Sequence, residues 1–176
     1  KNGVIVIPTL TVLDGYVKMY KGVVDRKAPP VDDPNGCIDA STLARVAETA
    51  TVDATLVKAD RMAAREARAK RFTEVTRKNL KTLVDSGIPI ATGTDAGNPL
   101  TLHGPAIYAE LDAMQASGMT PMQVIVAATR NGAELLGVGD QIGTIEPGKM
   151  ADVLVLDGNP LDDLQALREI RLVLLA

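Results

Sequence analysis

Gly87-Ile-Pro-Ile-Ala-Thr-Gly-Thr-Asp95-Ala-Gly97-Asn-Pro-Leu-Thr-Leu-His103-Gly104 is a short apolar run that ends on a carboxylate and opens into a glycine-rich loop. An acidic residue at the C-terminal end of a buried parallel strand has its backbone held by the sheet and its side chain at the mouth of the fold, where ligands bind. Asp95 is therefore the first candidate for chemistry. Asp-Ala-Gly is also an ordinary turn sequence, so the other reading of Asp95 is a loop cap. The rest of the chain carries one histidine, His103, and one cysteine, Cys37.

Outward from this stretch the elements alternate. Gly3-Val-Ile-Val-Ile-Pro8 is a continuously apolar, β-branched run, the pattern of a strand buried on both faces. Thr9 to Tyr20 reads as a helical or loop excursion, and Lys21 to Gly36, rich in Pro, Asp and Asn, as an ordered surface loop. Asp39 to Ser86 contains neither Gly nor Pro. Its apolar residues, among them Leu43, Val46, Phe72, Leu80 and Leu83, keep helical spacing. That predicts one long or two consecutive amphipathic helices ending at Gly87, with the Thr-rich Glu48 to Thr55 as the break. Ile88 to Thr92 is the second strand. Ile107, Leu111 and Met114 give a helix stopped by Gly118. Two capping boxes follow, Thr120-Pro-Met-Gln123 and Asn131-Gly-Ala-Glu134. Strands are predicted at Gln141 to Ile145, Asp152 to Leu156 and Ile170 to Leu175, with a short helix over Leu161 to Glu169.

Composition narrows the class. With 46% hydrophobic and 23% charged residues the chain has a globular composition. A net charge of -3 and an aromatic content of 2% remove the basic footprint and the stacking platforms that nucleic acids need, so no nucleic-acid partner is expected. No apolar run reaches the length needed to cross a bilayer, so no membrane partner is expected either. Cys37 has no second cysteine to pair with and is read as inert. The chain opens on Lys1 and closes on the apolar Arg171-Leu-Val-Leu-Leu-Ala176, and both ends read as cut from a longer sequence.

Gly143-Thr-Ile-Glu-Pro-Gly-Lys149-Met150 imitates a phosphate loop. Met150 replaces the hydroxyl that would reach magnesium, Glu146 puts negative charge in the cradle, and Pro147 removes a backbone donor. A tight turn between two strands, with Pro147-Gly148 at its corner, is the expectation instead. Glu66, Arg68, Lys70 and Arg71 read as a solvated helix face.

Strand, helix, strand, helix and then a β-rich tail make an α/β chain with parallel strands. Four separated blocks carry a more specific resemblance: Ile88-Pro-Ile-Ala-Thr-Gly-Thr-Asp-Ala-Gly97, Gly118-Met-Thr-Pro-Met-Gln-Val-Ile125, Ala127-Ala-Thr-Arg-Asn-Gly-Ala-Glu-Leu-Leu-Gly137 and Ile142-Gly-Thr-Ile-Glu-Pro-Gly-Lys-Met-Ala-Asp-Val-Leu-Val-Leu-Asp-Gly-Asn-Pro-Leu161. In order and spacing they resemble the C-terminal part of the amidohydrolase superfamily, and within it the imidazolonepropionase-like and Xaa-Pro or Xaa-Arg dipeptidase-like hydrolases.

The resemblance implies the last part of a (β/α)8 TIM-type barrel over residues 1–138. Val4 to Ile7 would be the seventh strand and Ile88 to Thr92 the eighth. Residues 139–176 would return into a small composite β-sandwich. It further implies a divalent metal, zinc, one ion or two, held mostly by residues that precede Lys1: a His-x-His pair, a carboxylated lysine or glutamate, and single histidines. Asp95 alone maps onto that ligand set, as metal ligand and catalytic residue.

The implied chemistry is hydrolysis of a C–N bond. A bound divalent metal lowers the pKa of its water from about 15.7 to about 7, and the aspartate takes the proton from that water and returns it to the leaving nitrogen. The implied partner is a small amide, cyclic amide or dipeptide, with a homo-oligomer open. His103, on the same loop, and Thr94 are candidates for substrate contact. The plain alternatives are a surface or capping histidine and a threonine present for strand packing. Two other functions stay open: a nucleobase- or nucleoside-type deaminase of the same superfamily, and a non-catalytic scaffold or binding remnant.

Overall fold

A computed structural model of the chain describes residues 3–176; Lys1 and Asn2, which open the first predicted domain, lie outside the described residues. Helices dominate: α1 (Val12–Asp25), α2 (Ala40–Glu48), α3 (Met62–Asp85), α4 (Ala106–Ala116), α5 (Pro121–Ala128) and α6 (Arg130–Leu135), followed by β1 (Val153–Leu156) and β2 (Ile170–Leu174). The two predicted parallel strands do meet, in the predicted sense, but as one parallel bridge between Val6 and Ile90. Val6 N–H donates to Pro89 O and Ala91 N–H to Val6 O, both at 3.0 Å.

The reason the pairing stays short is visible on Ile88 to Thr92. Pro89 has no N–H to offer, Thr92 N–H goes to Ala127 O at 3.1 Å, and Ile90 O accepts from the Asn131 amide at 2.7 Å. The far edge of this segment is thus satisfied by helical neighbours. The second capping box fails for the same reason. α6 starts at Arg130, with Thr129 as its flanking residue, because the Asn131 side chain is captured by Ile90 and does not cap its own helix.

The first capping box is present as predicted. Thr120 Oγ1 accepts from Gln123 N–H while Gln123 Oε1 accepts from Thr120 N–H, and Pro121 occupies the first turn, where its missing donor is not needed. α3 follows from an uninterrupted run of good helix formers. It ends where Gly87 takes φ +71°, with Gly87 N–H on Val84 O and Ile88 N–H on Leu83 O. The break before it is longer than expected, three 3-10 turns between Thr49 and Arg61. Arg65 pins it by donating to Val57 O while stacking over Tyr20, 4.3 Å from the ring centroid. Phe72, predicted in the apolar stripe of α3, is exposed, and Ala69 faces inward instead. The Glu66, Arg68, Lys70, Arg71 face is solvated as expected.

α1 runs five residues into the predicted surface loop and stops at Arg26, which is left-handed at φ +51°. The core lies between these helices and the Val6–Ile90 pair, around Leu10, Leu80, Ile90, Leu111, Met114 and Val124. The strand expected at Gln141 to Ile145 is absent. That stretch is a loop folded on α6: Gly143, at φ +93°, sits where an added Cβ would meet Ala133 Cβ at 2.6 Å. Lys149 Nζ stitches the loop by donating to Gly139 O at 2.7 Å and Thr144 Oγ1 at 2.5 Å. The phosphate-loop imitation is therefore a turn with its lysine internally occupied, preceding one strand and not lying between two.

β1 and β2 form an antiparallel pair with an irregularity at Val155/Leu156. Between them the predicted helix is a 3-10 segment over Leu164–Arg168, with Leu164 buried in the core. Leu154, Leu172, Val173 and Leu174 are all exposed.

Candidate functional site

Asp95 emerges just beyond the Val6–Ile90 pair and is exposed, as its candidacy requires. Its backbone is left-handed at φ +53°, a conformation that Asp tolerates better than most residues because its short polar side chain bonds locally. The loop that follows closes on itself. Asn98 Nδ2 donates to Asp95 O at 2.9 Å, Thr101 N–H to Asn98 O at 2.9 Å, and Gly97 N–H to Thr101 O at 3.0 Å.

α1 leans directly on this loop. A Cβ on Gly15 would stand 2.3 Å from Pro99 O, so only glycine permits the approach. One turn face away, Tyr16 O–H donates to Asn98 Oδ1 at 2.9 Å. α1 is itself locked at its start by Glu110 of α4. This side chain is fully buried, and its carboxylate accepts from Leu10 N–H at 2.8 Å, Thr11 N–H at 3.1 Å and Thr11 Oγ1–H at 3.0 Å. Burial pushes the Glu110 carboxyl above the ordinary range, and the three donors pull against that shift without cancelling it.

Glu110 and Tyr16 were not among the residues singled out from the sequence. The signal for Glu110 was there: it falls on the Ile107, Leu111, Met114 stripe of α4, a carboxylate on an apolar face. Tyr16 carried none.

His103 is exposed in the turn before α4, and Thr94 is half-buried; neither joins the Asp95–Asn98–Tyr16 network. Cys37 is a free, exposed thiol packed beside Gly104. Its loop is tied down by Asn35, which donates to Tyr108 Oη at 2.7 Å, and by Arg168, which bridges Asp32 at 3.2 Å and Asp112 at 2.9 Å while lying over the Tyr108 ring. A concavity of about 400 Å³ lies at the other end of the Ile88 segment, between Val84, Pro89, Met122, Val126 and Asn131, and does not include Asp95.

Among the described residues no three His, Cys, Asp or Glu side chains converge where they could hold a metal ion. The residues present thus do not by themselves fit the metal centre that the sequence resemblance implies; they offer one carboxylate. No helix is long and apolar enough to cross a membrane among the described residues.

Comparison with known proteins places this geometry. A solved Xaa-Pro dipeptidase with methionine bound in its active site superposes with a TM-score of 0.61 at 23% identity, covering 99% of this chain and 34% of that one; this shows the fold. In sequence, a 5-methylthioadenosine/S-adenosylhomocysteine deaminase from Teredinibacter turnerae is 39% identical over 87 residues, covering 46% of this chain and 20% of that protein. An imidazolonepropionase from Thermoplasma volcanium is 36% identical over 77 residues, 44% of this chain and 19% of that protein. The matched part of the chain spans about a fifth of the length of these relatives. The family model described as "Amidohydrolase family" matches residues 24–174, which takes in α2 to β2 and Asp95 with its whole loop, and the chain belongs to that family.

Proposed function

We propose that these residues are the C-terminal part of a hydrolase that cleaves a C–N bond, with Asp95 as the group that moves the proton. Residues 1–138 are assigned to the end of a (β/α)8 barrel and 139–176 to a composite β-sandwich. The observation that carries the reading is the placement of Asp95: an exposed carboxylate just past a parallel-paired segment, inside the stretch matched by the family model. Two relatives at 36–39% identity, an imidazolonepropionase and a deaminase, support C–N chemistry in common and leave the substrate to experiment.

In this reading a water oxygen attacks the carbon of the scissile C–N bond while Asp95 accepts the water proton. The C–N bond then breaks as the same proton passes from Asp95 to the leaving nitrogen, which returns the carboxylate to its starting state. The substrate is a small amide, cyclic amide or dipeptide, with His103 and Thr94 as contacts at the loop. The divalent metal expected of the family would draw its remaining ligands from chain outside these residues, and no step is assigned to it here. The deaminase relative favours one second reading, release of ammonia from a nucleobase or nucleoside.

The test is Asp95→Asn in the complete protein that carries these residues, assayed at steady state on a panel of dipeptides, cyclic amides and aminopurine nucleosides. The variant keeps the size and left-handed tolerance of the side chain and removes the base. Turnover is expected to fall by roughly 10²- to 10⁴-fold. Near-normal turnover leaves Asp95 as a turn residue only, and ammonia release confined to the nucleosides selects the deaminase.

A further inference from the structure

Resting on Asp95 as the proton-moving group, we infer that Tyr16 and Asn98 are positioning residues that hold it. Asp95 sits in a backbone region that non-glycine residues enter rarely, φ +53°, and such a conformation persists only where its surroundings over-determine it. The surroundings that do so here are a relay from outside the loop. Asn98 uses both ends of its amide: Nδ2 donates to Asp95 O at 2.9 Å, and Oδ1 accepts from Tyr16 O–H at 2.9 Å. An asparagine free to rotate could satisfy the turn with its backbone alone, as its own N–H already does toward Asp95 O at 3.4 Å. The Tyr16 hydroxyl fixes which end of the amide faces Asp95.

Tyr16 can do this because α1 is held at fixed distance from the loop on two sides. Gly15 lets the helix backbone touch Pro99 O, and Glu110 fastens Leu10 and Thr11 at the helix start. Rotation of α1, or loss of the hydroxyl, therefore reaches Asp95 through one amide. The residues are far apart in the chain, a separation of 82 positions between Tyr16 and Asn98, so the relay is a property of the fold and not of a local turn.

The experiment compares Tyr16→Phe, Asn98→Ala, Asn98→Asp and Asp95→Asn in the complete protein. Steady-state kinetics are run beside hydrogen exchange of backbone amides over residues 93–102. Asn98→Asp keeps an acceptor for the Tyr16 hydroxyl and removes the donor to Asp95 O. Misplacement of a reacting group by about 1 Å costs on the order of 10²-fold in rate. Asn98→Ala and Asn98→Asp are expected to lose roughly 10- to 100-fold in kcat with KM within about twofold, and Tyr16→Phe a smaller share of the same loss. Amides 95–98 should exchange faster in all three.

A merely structural role would leave the kcat-to-KM split unmoved. If Asp95→Asn is inactive while the Tyr16 and Asn98 variants keep kcat within about twofold and wild-type exchange, the positioning role is overturned and the function stands. If Asp95→Asn keeps its turnover, the function itself falls. Tyr16→Phe removes a single oxygen from a half-buried ring, so the comparison survives even if Asn98→Ala fails to fold.

Discussion

Replacing Glu110 tests the lock between α4 and α1 with a magnitude that the structure sets. The fully buried carboxylate accepts three hydrogen bonds, two of them from the backbone N–H groups of Leu10 and Thr11. Glu110→Ala strands both donors away from water. At about 1–3 kcal/mol for each buried unsatisfied group, the loss is about 2–6 kcal/mol before any cavity is counted. Glu110→Gln keeps one carbonyl acceptor but turns an NH2 toward Thr11 N–H, so one donor is lost, about 1–3 kcal/mol.

The pH dependence has a definite sign. Burial, the dominant influence, raises the folded pKa above the ordinary 4.5. The folded state therefore holds a proton that the unfolded state has released, and stability falls as pH rises across that interval. The contribution is fully present below pH 4.5 and is lost as pH climbs through the raised folded value. Glutamine does not titrate, so the gap between wild type and Glu110→Gln should narrow from pH 4 toward neutrality. Urea unfolding followed by far-UV circular dichroism at several pH values measures it. A Glu110→Ala protein within about 0.5 kcal/mol of wild type, or a gap that widens with rising pH, refutes the reasoning.

Gly143→Ala should destabilise by on the order of 2–4 kcal/mol, since φ +93° disfavours an L side chain and the new Cβ would stand 2.6 Å from Ala133 Cβ; thermal unfolding reads it, and an unchanged midpoint would mean the loop does not pack on α6. The 176 residues expressed alone should self-associate and bind a hydrophobic dye, because Leu172, Val173 and Leu174 stand 44–49% exposed and Leu175 80% on an uncovered strand. A compact monomer by light scattering, with a sharp reversible transition, would contradict the part-barrel assignment.

Where a residue's partner lies nearby in the chain, its structure was legible. Thr120 and Gln123 are three positions apart and cap each other as their spacing says. Gly87 ends α3, and the alternation at Val153 to Leu156 and Ile170 to Leu174 becomes a strand pair. Where the partner is distant, the local pattern misled. Asn131 has every local feature of a cap, yet its amide is taken by Ile90, 41 positions away. Gln141 to Ile145 has the composition of a strand, but Lys149 folds it into a loop on α6. The candidate site divides the same way. Asp95 could be found from its place after an apolar run, and Asn98 as a turn residue. That Tyr16 reaches Asn98 depends on a helix docking that no window of sequence contains.

The contact between Leu10 and Glu110 has a consequence for how the chain is made. Donor and acceptor are 100 positions apart, so at a synthesis rate of about 5–20 residues per second the acceptor is made some 5–20 s after the donors. During that interval α1 has no lock at its start, and Val6 has no Ile90 to pair with until the same late stretch emerges. α2 and α3, whose contacts are mostly internal, can form while the ribosome is still working. The apolar Val4 to Ile7 run must wait in the open, which makes the newborn N-terminal segment the natural point of capture for a chaperone and the place where slow translation would do the most harm.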